Sequence, residues 1–176
     1  MIVMKFGGSS VSDAGRIRAA GEIVRGRLAR RPVVVVSAFR GVTDELLGLA
    51  KDALKGDLSR LAGLKLRHEE TAAALDVDFA PLKPLLDELE RLAAGVSLLK
   101  ELTPRTLDHA ASFGERLSAR LIAAAWAKAG LPARAVDAPG AGLLTDARFG
   151  AANPLPETEA AIRAALGGAP DLPVVT

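Results

Sequence analysis

The stretch MKFGGSSV, residues 4–11, places a lysine near the end of a short apolar run and follows it with two glycines and two serines. Glycines let the backbone turn sharply with its amide groups directed outward, which forms a concavity for anions. A helix that begins soon after such a turn adds partial positive charge from its N-terminus. Lys5 would add a full positive charge, so the combination suits a polyphosphate. An ordinary strand-to-helix turn with a surface lysine is the alternative.

The octet differs from the two most familiar phosphate-binding loops. A P-loop requires a lysine followed by Ser or Thr after its glycines, and none is present here. The G-x-G-x-x-G pattern of dinucleotide-binding folds is also missing from residues 4–11. The octet alone therefore predicts an anion site without naming its ligand.

A second candidate is SAFRGVTD, residues 37–44, which ends a buried strand with small and hydroxyl residues and opens a helix. Thr43 is predicted to cap that helix. Thr43 and the free amides near it could bind a carboxylate or a phosphate, with Ser37 close by. A simple N-cap without a ligand is the alternative.

A third candidate is SFGERLSARL, residues 112–121, which carries a glycine inside a helix. Glycine in a helix costs roughly 1 kcal/mol relative to alanine, so Gly114 predicts the close approach of another backbone. Glu115 borders the same tightly packing face, and a carboxylate there needs a partner. A substrate ammonium would serve. A structural ion pair would serve equally well, with Arg105, Arg116 or Arg120.

Other constellations predict no separate chemistry. His68 and His109 both fall in predicted helices without a nucleophile elbow, which argues against Ser-His-Asp catalysis. His68 and the two glutamates after it are interpreted as a solvated helix face rather than metal ligands, so no metal site is predicted. Asp146 and Arg148 are interpreted as a pair that stabilises a turn.

Composition narrows the class of protein. The chain has 176 residues, a net charge of +2 and no cysteine. Acidic and basic residues are interspersed, whereas a nucleic-acid surface would show a basic stripe. There is no signal-peptide layout and no apolar run of the roughly 18 residues that a membrane span needs. We therefore expect a cytoplasmic protein that binds neither nucleic acid nor membranes.

The order of elements predicts an α/β fold, layered around a mainly parallel central sheet with flanking helices. Strands are predicted at 1–6, 32–39, 133–138 and 172–176, with helices between them. Residues 57–98 are predicted to form an inserted helical hairpin that breaks near 76–80. Ligands of such sheets gather beyond the carboxyl ends of the strands. That rule places residues 7–10, 37–43 and the loop after 138 on one rim.

Together these stretches resemble the aspartate kinases of the amino-acid kinase family. The segments that carry the likeness, in order and at similar separations, are KFGGSSV, VVVVSAFRGVTD, ELTPRTLDHAASFGERLSARL and LLTDARFGAANP. The likeness covers nearly the whole chain, and the helical hairpin resembles the insert of the longer aspartate kinases. Phe39 and Arg40 depart from it, because they are bulkier than the family's usual residues there.

The resemblance implies transfer of the γ-phosphoryl group of ATP, with its Mg²⁺, to the side-chain carboxylate of L-aspartate. The product would be 4-phospho-L-aspartate, the entry to lysine, threonine and methionine synthesis. By matching position, Lys5 would be catalytic and would bind ATP together with Phe6, Gly7, Gly8 and Ser9. The aspartate-binding positions would be Ser37, Thr43 and Glu115.

The resemblance also implies that residues 1–176 form the N-terminal, amino-acid-binding lobe of a kinase domain. Family members continue into an ATP lobe, and most continue further into ACT regulatory domains. Both parts are expected to be absent from residues 1–176, and the full-length protein is expected to be a homo-oligomer. A catalytically silent binding or assembly module of the same fold is one alternative. A kinase for another amino acid, such as glutamate, is a second.

Overall fold

The computed structural model describes residues 1–168 and 170–176, which form a parallel sheet flanked by helices. The strands are β1 (Ile2–Phe6), β2 (Pro32–Val36), β3 (Ala133–Val136) and β4 (Leu172–Val175), in the spatial order β1-β2-β4-β3. The helices are α1 (Ala14–Arg25), α2 (Val42–Ala53), α3 (Arg60–Leu75), α4 (Lys83–Leu99), α5 (Pro104–Lys128) and α6 (Thr158–Leu166). The predicted α/β class and the helical hairpin, formed by α3 and α4, are confirmed.

The second strand is parallel to both of its neighbours and almost fully buried. Register pairs join Met4 to Val34 in β1 and Val34 to Val174 in β4. A continuous run of β-branched residues is typical of a strand covered on both faces, as Pro32–Val36 is here. The strand ends at Val36, three residues earlier than predicted, because the following segment turns into α2.

Helix starts were predicted with mixed success. Asp13, not Ser12, caps α1, and its carboxylate accepts a hydrogen bond from the Arg16 amide at 2.9 Å. A carboxylate at this position satisfies a free amide and also opposes the positive end of the helix dipole. Thr103 caps α5 as predicted, by accepting from the Thr106 amide at 3.1 Å.

The two faces of the sheet are covered differently. The main core lies between the sheet and helices α1 to α5, and Val34 and Val174 contribute to it from the strands. The opposite face forms a smaller cluster in which Val33 and Val175 meet Leu166 of α6. Within the described ranges, no helix is long and apolar enough to cross a membrane.

Helix α5 is held against α1 by one buried tryptophan. The Trp126 indole donates a hydrogen bond from Nε1 to the Ile17 carbonyl oxygen at 2.9 Å. A Cβ built on Gly21 of α1 would lie 2.8 Å from that Nε1 atom. The glycine therefore leaves the space in which the indole reaches its acceptor.

We predict that Gly21→Ala lowers the free energy of unfolding by about 1–3 kcal/mol through overpacking. The matched control is Gly95→Ala in α4, where a built Cβ meets nothing within 4 Å. That control should gain up to about 1 kcal/mol from helix propensity. Urea unfolding of the two variants and the wild type measures both effects. A Gly21→Ala protein as stable as the Gly95→Ala protein would contradict the assigned packing.

Candidate functional site

The carboxyl ends of the strands bring the predicted segments to one edge of the sheet. All three strand pairings are parallel, so the residues that follow β1, β2 and β3 emerge on the same side. Ser37 still donates from its amide to the Phe6 carbonyl oxygen at 3.1 Å, which keeps the first two exits adjacent. The shared rim predicted from the sequence is therefore confirmed.

The glycine loop after β1 packs directly against the exit of β2. Gly8–Ser10 form a single turn of 3-10 helix, closed by a 2.8 Å hydrogen bond from the Ser10 amide to the Gly7 carbonyl. A Cβ on Gly8 would lie 2.7 Å from the Ala38 carbonyl oxygen and 3.4 Å from the Arg40 amide. Only glycine allows the two loops to approach this closely without a shift of the backbone.

The N-terminus of α1 does not serve this loop in the predicted way. Helix α1 begins at Ala14, and the Asp13 carboxylate already caps its first turn. Any anion at Gly7–Ser10 would therefore depend on the amides of the loop itself and on a nearby cation. The hydrogen bond from the Arg16 guanidinium to the Ser9 carbonyl, at 3.1 Å, ties α1 to the loop.

Lys5 and Phe6 lie on opposite faces of β1. Lys5 is exposed, pairs in register with Val35, and shares its face with that residue because side chains alternate along a strand. The Phe6 ring is buried in the main core, edge-on to Trp126 with ring centroids 6.4 Å apart. Of the residues predicted to bind ATP, Phe6 can contribute only its backbone.

Helix α5 fixes the Ser37–Gly41 segment from the core. The Ser118 hydroxyl donates to the Ser37 carbonyl oxygen at 2.8 Å. A Cβ on Gly114 would lie 2.7 Å from the Ala38 Cβ, so the glycine predicted to allow close approach does so, although a side-chain methyl and not a backbone is nearest. The Ala38 amide donates to Glu115 Oε1 at 3.4 Å, a long hydrogen bond.

Thr43 does not cap α2. The N-cap is Gly41, whose φ of +83° favours glycine and which has no side chain to offer to the amides of the first turn. Thr43 is instead the second residue of the helix and is half-buried. The capping prediction is wrong, but Thr43 stays at the rim beside an N-terminus that lacks a side-chain cap.

Glu115 forms no ion pair with the three arginines considered in the sequence. Arg120 instead binds Asp137 through two hydrogen bonds of 2.7 and 3.0 Å. Arg116 lies 3.1 Å from Glu88 and 3.7 Å from Asp137. Arg105 lies over the Phe149 ring, 5.8 Å from its centroid. Within the described part of the chain, each of these three arginines therefore contacts a group other than Glu115. This favours a cation from outside the chain as the partner of Glu115.

Arg116 and Arg120 form ion pairs with Asp137 and Glu88 beside Glu115, and these four residues are called the charged frame. The hydrogen bond from Arg120, followed by the charges of both arginines, holds the pKa of Asp137 below its ordinary value, although partial burial opposes this. Burial raises the pKa of Glu88, but Arg116 and then His109 outweigh it and lower the net value. Both carboxylates therefore stay ionised and paired near neutral pH.

An open cleft of about 450 Å³ lies between this frame and the sheet edge. Its lining includes Ser112, Glu115, Asp137 and Thr176. Asp137 is neutralised by arginines, whereas the one hydrogen bond to the Glu115 carboxylate from residues 1–168 or 170–176 is the long one from the Ala38 amide. A small zwitterion could place its ammonium on Glu115 within a cleft of this size.

Several features differ from the sequence interpretation. His68 is completely buried, so its assignment to a solvated helix face is wrong. The role of Asp137 as the partner of Arg116 and Arg120 was missed, because it was placed inside the predicted third strand, which ends at Val136.

Asp146 accepts hydrogen bonds from the amides of Arg148 and Asn153, which confirms its turn-stabilising role.

The chain is similar to known proteins along its whole length. The family model described as the amino acid kinase family matches residues 1–176. Aspartokinase 3, chloroplastic, from Arabidopsis thaliana is 38% identical, aligned over 99% of this chain and 33% of its own length. Aspartokinase 2, chloroplastic, of the same plant is 37% identical over 94% of this chain and 32% of its own. The chain thus spans about a third of these relatives.

Solved structures agree with this likeness. Aspartokinase III of E. coli, in complex with lysine and aspartate, superposes with a TM-score of 0.77 at 27% identity, covering 99% of this chain and 40% of that one. A second structure of that enzyme, with aspartate and ADP, gives a TM-score of 0.69 at 24% identity with the same coverage and supports the fold. By its sequence and its fold, this chain belongs to the amino acid kinase family.

Proposed function

We propose that the chain is the amino-acid-binding part of an aspartate kinase, which transfers the γ-phosphoryl group of ATP to the side-chain carboxylate of L-aspartate. One observation carries the proposal: three segments meet at Ala38. Gly8 packs on its carbonyl oxygen, Gly114 on its methyl group, and Glu115 accepts its amide hydrogen. The proposed anion loop and the proposed ammonium ligand therefore both contact this one residue.

The relatives support the choice of substrate. The two Arabidopsis relatives named above are aspartokinases, and the two E. coli structures are complexes with aspartate, together with ADP in one and with lysine in the other. Glu115 supplies the charge that a free amino group would need. Dicarboxylates without an ammonium group would leave the half-buried carboxylate of Glu115 without a cation, which is costly.

The reaction needs no general base from the protein. A free carboxyl group has a pKa of about 4, so the aspartate side chain is already ionised at neutral pH. One of its oxygens attacks the γ-phosphorus, the bond from that phosphorus to the bridging oxygen breaks, and ADP leaves. Catalysis then consists of aligning two anions and stabilising the charge of the moving group.

Lys5 and the loop amides are the groups proposed to stabilise that charge. Lys5 lies one residue before the end of β1, and its ammonium is exposed, free to turn toward a phosphate at Gly7–Ser10. Mg²⁺, when bound, would neutralise phosphate charge. In this proposal the ion is bound through the phosphates of ATP.

Residues 1–176 would be the N-terminal lobe, and the pathway would be the synthesis of lysine, threonine and methionine. A cytoplasmic location and a full-length homo-oligomer remain predictions. ADP release from MgATP that depends on L-aspartate, measured on the longest reading frame containing this chain, tests the function. Aspartate binding without ADP release would favour a silent binding module, and release with glutamate alone would favour another kinase.

We predict that Glu115→Gln raises the KM for aspartate by about tenfold or more, since it removes a charge-assisted contact with the ammonium. The KM for ATP should change little. Succinate lacks the ammonium, so its inhibition constant as a competitor of aspartate should change little. The ratio of that inhibition constant to the KM for aspartate should therefore fall. Glu101→Gln, at an exposed glutamate, is the control. An unchanged aspartate KM in Glu115→Gln would remove Glu115 from substrate recognition.

We predict that Lys5→Met lowers kcat by about a hundredfold or more, the size seen when one group that stabilises transition-state charge is lost. Because Lys5 is exposed, the melting temperature of the Lys5→Met protein should match that of the wild type. Lys55→Met, at another exposed lysine, provides the control in the same turnover assay. Wild-type turnover in the Lys5 variant would show that the ammonium takes no part in phosphoryl transfer.

A further inference from the structure

The segment Ser37–Gly41 is also held by helix α3, through contacts that the proposed function does not use. The Arg67 guanidinium donates from Nη2 to the Arg40 carbonyl oxygen at 2.7 Å. Its Nη1 donates to Glu45 Oε1 in α2 at 3.3 Å. One side chain of the helical hairpin therefore joins the segment to the helix that follows it.

The next residue of α3 makes a second contact with the segment. The His68 ring stacks on the Phe39 ring, with centroids 5.4 Å apart and planes 19° from parallel. Neither ring is exposed by more than 1%. Arg67 and His68 thus hold two consecutive residues of the segment, one by its carbonyl group and the other by its side chain.

The hydrogen bonding of His68 defines its protonation. Nδ1 lies 2.7 Å from the Leu64 carbonyl oxygen, an acceptor, so Nδ1 carries a hydrogen. Nε2 is buried, and no atom in residues 1–168 or 170–176 bonds to it. A neutral ring needs no partner at Nε2 beyond its lone pair, whereas a proton there would be buried without an acceptor.

We propose that Arg67 and His68 are positioning residues, which set the Ser37–Gly41 segment in the conformation that binds aspartate; this rests on the proposed function. The segment presents the Ala38 amide to Glu115. Its far end turns at Gly41, where φ is +83°, and no side chain caps the helix that follows. Arg67 and His68 instead fix this end, through the Arg40 carbonyl group and the Phe39 ring. Misplacement of a substrate-binding group by about 1 Å is enough to impair a reaction.

The position of His68 also predicts a response to acid. Burial lowers the pKa of His68 below the ordinary value of 6.5, and the positive charge of Arg67 lowers it further. The hydrogen bond to Leu64 and the negative charge of Glu45 in α2 raise it, but the net pKa stays below 6.5. The neutral form is therefore the native form near pH 7. As the pH falls below 6.5, protonation would leave a hydrogen on Nε2 buried without an acceptor, which favours movement of the ring away from Phe39, while aspartate keeps its own charge down to about pH 4.

The first test is Arg67→Met, which keeps an unbranched apolar stem and removes the guanidinium with its hydrogen bonds. We expect the KM for aspartate to rise about tenfold, the effect of one lost hydrogen bond from a charged donor. The KM for ATP should stay within twofold, and Arg67→Lys should restore part of the loss. Lys65→Met is the control, since Lys65 is exposed on the same helix.

The second test follows the KM for aspartate from pH 8 to pH 5 in the wild type and in His68→Phe. The phenylalanine keeps a ring to stack on Phe39 and cannot be protonated. We expect the wild-type KM to rise as the pH falls below 6.5, by at most about tenfold per pH unit for a single proton. The His68→Phe protein should lack that rise and should match the wild-type KM at pH 8.

The outcomes separate the two proposals. A wild-type protein that uses no aspartate overturns the proposed function, and this inference with it. A wild-type protein that uses aspartate, with Arg67→Met unchanged in KM and His68→Phe showing the same acid response, overturns the positioning role alone. A rise of both KM values in Arg67→Met would also count against it, because general destabilisation does not distinguish the substrates.

Discussion

The packing of small groups around Ala38 is the constraint on which the rim of the sheet depends. Gly8 and Gly114 approach this residue from two different elements, each at a distance that a Cβ atom could not tolerate. The side chain of Ala38 is itself only a methyl group. Larger residues at any of these positions would separate the first loop from α5 and would widen the rim. The loop at Gly8 and the Glu115 carboxylate would then no longer be held against the same residue.

The sequence was sufficient to predict most of the fold, because strong local signals coincide with tertiary burial. The valine run of β2 is apolar on both faces and is covered on both faces. Thr103 and Pro104 mark the start of α5 by chemistry that acts within one turn. The start of α1 was harder, since Ser12 and Asp13 are adjacent, both suit a cap, and only the geometry of the chain selects between them.

The site was predictable in its location but less so in its pairings. Parallel strands force their carboxyl ends together, so the rim followed from the order of the elements. Which carboxylate receives which arginine is a matter of side-chain reach: Arg116 and Arg120 lie one turn apart on α5, and both reach Asp137. The burial of His68 was likewise unpredictable, because its neighbour Phe39 is 29 positions earlier in the chain.

The position of β4 between β2 and β3 has a consequence for synthesis on the ribosome. Residues 34 and 174 pair with each other, so β2 keeps an unsatisfied edge until nearly 140 further residues have emerged. Pairings between such distant parts of a chain form slowly, and an open strand edge can recruit another chain during the wait. The nascent polypeptide would therefore gain from a chaperone that shields the Pro32–Val36 edge until Leu172–Val175 arrives.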